Sequence, residues 1–182
     1  MVTNSKGFTL LELIIVITIL GISLAISAPG LRTMIANNRI SSNASDFASA
    51  LQLAKAEAVA RINPVTICKK NTASTGCVTT GDWSQGWIVF SDLNGNGGVD
   101  TATDTVLLTH EALNARITFG GSTGVANSIT YRPSGTTNVT TIGTFIICND
   151  GNFDTNSRGI IVTITGRGSV MKASDTSETT CI

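Results

Sequence analysis

The sequence carries little charge. Of its 182 residues only 13% are charged, and 12 acidic residues balance 12 Lys and Arg residues. A chain that attracts nucleic acid through its overall field has an excess of basic residues, and an acidic tail would appear as a run of Asp and Glu. Neither feature is present, so composition excludes a strongly basic nucleic-acid binder and a protein with an acidic tail.

Groups used in catalysis and zinc binding are also scarce. His110 is the only histidine, and a Ser-His-Asp triad would have to use it. It lies in the run 107–111, which is typical of a strand edge. The sequence has no phosphate-binding Gly-x-x-x-x-Gly-Lys loop, no Cys-x-x-Cys pair and no Cys/His spacing that suits zinc. We therefore expect neither an enzyme nor a cofactor, with one candidate calcium loop as the exception.

What the chain does have is a long apolar run near its start. Between Phe8 and Ala28 the only charged residue is Glu12, and about 20 apolar residues is the length that a helix needs to span a bilayer. A carboxylate at the centre of such a helix costs about 2.5–3.5 kcal/mol, and less near an end. No Lys, Arg or His lies between Phe8 and Leu31 to offset it. Cleavage after Gly7 would place a positive α-amino group four residues before this acid.

The motif from Gly7 through Glu12, Gly-Phe-Thr-Leu-Leu-Glu, resembles the leader and N-terminal signature of type IV pilins and type II secretion pseudopilins. The resemblance implies a leader at residues 1–7, which prepilin peptidase cuts after Gly7 on the cytoplasmic side, and N-methylation of Phe8. It also implies a transmembrane assembly helix at residues 8–28, in which Glu12 sets the register between subunits. An ordinary secretory signal peptide and a plain signal anchor are the alternatives, but the first lacks a suitable cleavage site and the second leaves Glu12 unexplained.

Residues 29–63 carry a one-sided apolar pattern that predicts an amphipathic helix continuing into a head domain. The helix should end at Asn63, because a residue before proline is disfavoured in the α region. The segment 51–61 also resembles the helix of the group that contains pseudopilin H, FimT and FimU. The predicted apolar face consists of Ile40, Ala44, Phe47, Leu51, Ala54, Ala58 and Ile62.

Residues 64–182 predict a β-rich head, and the fold class is therefore α+β, a long N-terminal helix packed on an antiparallel globular head. Short β-branched or aromatic runs alternate with turn residues, and Trp83, Trp87 and Phe90 are expected in the core. Runs at 86–92 and 129–135 add to the resemblance to the same group. The predicted strands are 65–69, 86–91, 105–109, 116–119, 128–132, 144–148, 159–164 and 169–172.

Four cysteines follow the apolar run, and an even number in an exported domain favours disulfides with three possible connectivities. Pairing of neighbours would join Cys68 to Cys77 and Cys148 to Cys181. The second of these bonds would hold a polar C-terminal tail, residues 173–180, that has no other evident reason to stay ordered.

The Gly/Asn-rich segment 92–104 resembles the first half of a calcium-binding loop. Oxygen-bearing side chains occupy relative positions one, three, five and nine, and glycine occupies position six. Thr103 stands where the loop needs a bidentate Glu, and an acid follows one residue late. A turn between two strands explains the same residues, and we favour the turn. The candidate calcium ligands are Asp92, Asn94, Asn96, Asp100 and Asp104.

A second candidate site concerns DNA. Some FimT-like relatives bind DNA through a Gly-Arg-x-Arg element, and Gly166-Arg167-Gly168 resembles its first part, but Ser169 replaces the second Arg. The candidate contacts are Arg158, Arg167 and Lys172, which are few for a surface that follows several phosphates.

The resemblance thus implies a minor type IV pilin of the FimU/FimT kind, with pseudopilin H of type II secretion and a DNA-binding minor pilin as alternatives. The resemblance implies as partners prepilin peptidase, other minor pilins or pseudopilins and the major pilin. It places the chain in the bacterial inner membrane, with a single span and a periplasmic head, before assembly into a pilus or pseudopilus.

Overall fold

The computed structural model describes residues 7–71, 73 and 75–181, without the side chains at 28, 29 and 32. Except for Gly7, the predicted leader lies outside the described residues. The chain divides into two units, Met1–Asn38 and Arg39–Ile182, and the helix α1, Leu10–Arg61, contributes to both. Ile62 follows it with a φ of 57°, a left-handed conformation that ends the helix two residues before Pro64.

In the first unit α1 is apolar and open. The stretch Leu10–Ser27 has a mean hydropathy of 2.5 and contains no buried residue. At its start, the Glu12 backbone N–H donates to Thr9 Oγ1 at 3.2 Å, so Thr9 acts as the helix N-cap. A helix of this length and composition is suited to crossing a membrane.

In the second unit α1 buries one face. Six of the seven predicted residues are at most 1% exposed, which confirms the amphipathic pattern. Ile62 is the exception: it is 75% exposed, because the helix ends before it and the chain turns away. The buried six are Ile40, Ala44, Phe47, Leu51, Ala54 and Ala58.

The rest of this unit forms two four-stranded antiparallel sheets, which confirms the predicted α+β class. Sheet one has the order β3-β2-β1-β5, and sheet two the order β4-β6-β7-β8. Each predicted strand has an observed counterpart. The strands are β1 Val65–Lys69, β2 Trp87–Ser91, β3 Thr105–His110, β4 Ile117–Gly121, β5 Ser128–Tyr131, β6 Ile142–Asn149, β7 Arg158–Thr163 and β8 Gly168–Lys172.

Phe47 of α1 lies at the centre of the main core. Its ring makes edge contacts with four other aromatic rings at centroid distances of 4.7–5.3 Å, which favours the packing beyond area burial alone. The predicted core residues Trp83, Trp87 and Phe90 are fully buried. Trp83 Nε1 donates to the Val125 carbonyl at 3.1 Å, so the indole satisfies its polar atom inside the core.

Each sheet has a second, smaller core that contains a disulfide. The structure joins Cys68 to Cys77 and Cys148 to Cys181, the neighbour pairing favoured by the sequence. Cys68 packs with Ile88 and Phe90 on sheet one. On sheet two, Cys148 packs with Ile146, Ala173, Phe153 and Cys181, so the tail is held over apolar residues of that sheet.

Candidate assembly segment and head surfaces

The N-terminal segment combines an exposed aromatic residue, a helix cap and an acid. Phe8 is 78% exposed, and Glu12 is exposed one helical turn further on. Thr9 and Glu12 form a Thr-x-x-Glu pattern, which places the acid in the first turn, where the helix dipole favours a negative charge. The capping role of Thr9 is absent from the predictions made from sequence, although this pattern could have revealed it.

This arrangement reduces the free-energy cost of Glu12 without removing it. The helix dipole favours a negative charge here by about 0.3–1 kcal/mol, less than the cost of a carboxylate at depth in hydrocarbon, and the Thr9 bond goes to the Glu12 backbone N–H, where it stabilises the helix end. An amine at Phe8 would lie within reach of the same helical turn. A cation, either its own or a neighbour's, would offset the remaining cost of burying this acid.

The calcium candidates lie in one loop between β2 and β3. The Asp92 carboxylate is buried and accepts hydrogen bonds from the Asn96 and Gly97 backbone N–H groups and from Thr66 Oγ1. One oxygen of Asp100 accepts from two side-chain amides, at 2.7 and 2.8 Å.

Asp104 closes the same loop, since its two oxygens accept from the Leu93 and Asp100 N–H groups. Among the residues that the structure describes, no cluster of three His, Cys, Asp or Glu suits a metal. Internal hydrogen bonds thus account for the polar residues of the loop, and calcium binding stays a prediction. A calcium titration that left the melting temperature of the protein unchanged would contradict calcium binding by this loop.

The DNA candidates lie on the hairpin of β7 and β8. Arg158 and Lys172 are directly opposite each other at one end of it. Arg167 is exposed in the turn at the other end, so the structure brings only two of the three together. Gly166 makes this turn possible, because its φ is 73° and a Cβ there would lie 2.1 Å from the Gly135 carbonyl oxygen.

His110 lies at the end of β3, the edge strand of sheet one. Its ring stacks on Trp87 with a centroid distance of 3.9 Å, its Nδ1 lies 2.8 Å from the Glu111 carbonyl oxygen, and its Nε2 lies 3.9 Å from Asp46. These contacts join β3 to the helix and to the core.

One serine pattern also needs a structural interpretation. Residues 120–124 read Gly-Gly-Ser-Thr-Gly, which fits the Gly-x-Ser-x-Gly pattern that presents a nucleophile in some hydrolases. Ser122 precedes a 3₁₀ helix of only three residues, and its Oγ accepts from the Thr144 N–H at 3.1 Å. The described contacts of His110 do not include this serine, whose hydrogen bond links the segment after β4 to β6.

Lys69 is a buried cation with a structural role. Its ammonium donates to the Gly81 carbonyl at 2.8 Å and lies 3.5 Å from the Thr79 carbonyl oxygen, so it holds the segment that follows the first disulfide. Burial lowers the pKa of this amine, and the Asp82 carboxylate acts in the opposite direction.

Comparison with known proteins agrees with this geometry. The sequence matches the model of the prokaryotic N-terminal methylation motif over residues 2–28 and that of the type II transport protein GspH over residues 43–168. No curated protein sequence matches the chain.

Two crystal forms of the type IV minor pilin FimU from Pseudomonas aeruginosa share the fold. In the first, identity is 24%, coverage is 80% of this chain and 96% of FimU, and the TM-score is 0.63. In the second the corresponding values are 22%, 78%, 99% and 0.60. The minor pseudopilin EpsH of the Vibrio cholerae type 2 secretion system is 14% identical over 75% of this chain and 99% of its own, with a TM-score of 0.47.

The match over residues 43–168 includes most of the helix that packs on the head and all strands except the last four residues of β8. The methylation motif includes the open, apolar part of α1 together with Phe8 and Glu12. Because the two matches together account for both units of the chain, the protein belongs to the GspH family of pilin-like subunits.

Proposed function

We propose that this protein is a minor type IV pilin of the FimU/FimT kind, which enters or primes the pilus and so supports twitching motility or DNA uptake. The observation that carries the proposal is the open apolar stretch of α1 with Glu12 in its first turn. A helix that buries nothing in its own chain has to be covered by lipid before assembly and by other helices afterwards. The family match and the FimU-like fold of the head support this assignment.

In the proposed mechanism, the subunit waits in the inner membrane with its head in the periplasm. Prepilin peptidase removes residues 1–7, and Phe8 becomes the methylated N-terminus. Neighbouring helices then replace lipid around α1, and Glu12 of one subunit neutralises the amine of the next. The partners are therefore other minor pilins and the major pilin.

The description of the matched family favours a second candidate, pseudopilin H of a type II secretion pseudopilus. The two functions differ in what a deletion strain loses: piliation and motility in one case, protein secretion in the other. Restoration of secretion by the complemented gene, with piliation intact throughout, would decide for the second candidate.

DNA binding is the third candidate, and the cations on the β7–β8 hairpin are its only support. A gel-shift assay at low salt would test it, with Arg167→Ala as the control variant. No retardation of DNA by the unmutated protein would eliminate DNA uptake by direct binding.

The assembly role can be tested in the native host by replacing Glu12 with Leu. The variant should be inserted in the membrane but fall more than roughly tenfold in sheared pili, because Leu favours lipid and leaves the Phe8 amine without a counter-charge. Ser23→Leu is the matched control, since Ser23 is an exposed polar residue of the same apolar stretch whose Oγ donates only to the Ile19 carbonyl. Equal incorporation of both variants would refute the role given to Glu12.

A further inference from the structure

Two edge strands of the head carry opposite charges at their ends. β3 and β8 are outer strands of sheets one and two. The segment 104–111 begins and ends with an acid and contains no Lys or Arg, whereas 167–172 begins and ends with a base and contains no acid. The outer side of an edge strand presents unpaired backbone groups that can pair with another strand. One chain therefore offers two open edges of complementary charge.

The edge of β3 lies beside a groove. An open cavity of about 490 Å³ separates the strand from α1, with an apolar floor of Ala50, Leu53 and Leu108. Asp46 and His110 lie on its rim. A strand added to β3 would lay every second side chain over this floor.

A bulge limits the usable length of β3. The register shifts at Leu107, which is an extra residue relative to β2. After it, residues 108–110 pair regularly with residues 87–89 of β2. The regular template on this edge is therefore the C-terminal half of β3, next to the groove.

β8 is regular and exposed enough to pair with the edge of another sheet. All five of its residues pair with β7 without interruption. Val170 is opposite the buried Ile160, so it points to the helix-facing side of sheet two, yet on this outer strand it is 42% exposed. At the end of β8, Lys172 is directly opposite Arg158, and two like charges so placed repel each other unless an acid lies near.

We propose that β8 of one copy of this chain pairs with β3 of a second copy as an antiparallel strand. If Val170 lies beside Leu108 of the second copy, it covers the groove, and Arg167 falls beside Glu111. Glu111 is 80% exposed, so it can accept this contact while it keeps its ion pair with Lys70 at 2.6 Å.

The other end of the pair brings an acid close to a base. Because Leu107 is an extra residue in β3, Lys172 falls opposite Thr105 in this register. It is then one residue from Asp104. Opposite charges therefore meet in register at Arg167 and Glu111, and at the other end Asp104 brings an acid one residue from the pair of Lys172 and Arg158.

Such a contact joins different surfaces of the two copies and is therefore heterologous. The dimer keeps one free β3 edge and one free β8 edge, so association continues beyond the dimer. The contact lies wholly in the head and does not depend on α1 of the first unit.

The test uses the full chain in detergent micelles, with Val170 replaced by the photo-crosslinking residue p-benzoylphenylalanine. An isotopically heavy chain that keeps Val170 is added, so that crosslinks between copies can be recognised by mass. We expect crosslinks from position 170 to residues 104–111 of the heavy copy, and a ladder of dimers, trimers and larger species. Crosslinks that go elsewhere, or a product that stops at dimer, would overturn the proposal.

Two further variants distinguish the edge contact from non-specific self-association. Sedimentation velocity measures the self-association of each. Val170→Lys should weaken association at least about tenfold, because a lysine on an edge strand opposes strand addition. Val59→Lys is the matched control, since Val59 is 49% exposed on α1 and lies on neither strand. Equal effects of the two substitutions would contradict edge pairing.

A last variant keeps this inference separate from the assembly role of the N-terminus. In Glu12→Leu chains the crosslink from position 170 should persist unchanged. Its loss would show that the heads meet only because the helices bring them together, which would refute an intrinsic contact between β8 and β3.

Discussion

The two parts of α1 have the same backbone conformation but opposite relations to their surroundings. Leu10–Ser27 buries none of its residues, whereas the part from Ile40 to Ala58 buries one residue in nearly every turn. Propensity does not explain this difference, because both parts are helical. The explanation lies in the pattern: a helix that is apolar all round needs an apolar solvent, and a helix with one apolar face needs one surface to pack on.

The comparison shows where stability and function reside. The head has its own core, two disulfides and two hydrogen-bonded sheets. The open part of α1 has only intrahelical bonds and a cap, so its free energy depends on what surrounds it. Substitutions in the head should change the free energy of unfolding, while substitutions in Leu10–Ser27 should change partitioning between membrane and filament.

The largest effect on the head is expected for Phe47→Ala. Removing a ring that touches four aromatic neighbours leaves a cavity, which should cost about 3–5 kcal/mol of unfolding free energy. Val59→Ala is the control on the exposed side of the same helix, with an expected change below about 0.5 kcal/mol. Urea unfolding measures both, and a Phe47 variant as stable as the control would contradict a core built on α1.

The two disulfides should differ in their contributions. Their sequence separations are 33 residues for Cys148–Cys181 and 9 for Cys68–Cys77. The chain-entropy model gives about 4 kcal/mol for the longer loop and about 3 kcal/mol for the shorter. Paired Cys→Ser variants, compared by thermal unfolding, should follow this order.

Amide hydrogen exchange gives a second, local measure of the disulfides. The Cys148/Cys181 variant should lose protection in the tail after β8, because the bond holds that tail over sheet two. Full protection of the tail in this variant would show that packing alone holds it.

The smallest effect is a titration. Tyr131 is the sole tyrosine, its side chain is buried, and its hydroxyl has no hydrogen-bond partner among the described residues. Burial raises its pKa far above the usual value of about 10. The unfolded chain therefore releases this proton at a lower pH than the folded chain does, and the stability linked to Tyr131 is present below pH 10 and declines above it.

Absorbance of phenolate near 295 nm can follow this group without interference from other tyrosines. The folded protein should show no ionisation around pH 10, and the signal should appear only with unfolding. A reversible transition near pH 10 in folded protein would place Tyr131 outside the core.

Much of the head was predictable from local pattern. The apolar face of α1 and eight strand positions followed from the spacing of apolar and β-branched residues. Strand order did not follow, since β5 lies beside β1 although β2, β3 and β4 separate them in sequence. Pairing between strands so far apart in sequence depends on tertiary packing, and a short stretch of sequence does not contain that information.

Several local features of the candidate segments also depended on contacts between residues far apart in sequence. The sequence indicated a turn or a calcium loop at Asp92, but the carboxylate is buried and accepts a hydrogen bond from Thr66 on β1. The bulge at Leu107 has no sequence signal of its own. The cap at Thr9, in contrast, was readable from the Thr-x-x-Glu pattern.

The central claim is that Glu12 is tolerated near the start of an apolar helix because cleavage creates a cation beside it. Intact-mass and N-terminal peptide mass spectrometry of the protein from its native host tests this most directly. We predict a mature chain that begins with N-methylated Phe8 and lacks residues 1–7. A mature chain that still carries Met1 to Gly7 would contradict the assembly function proposed for the helix.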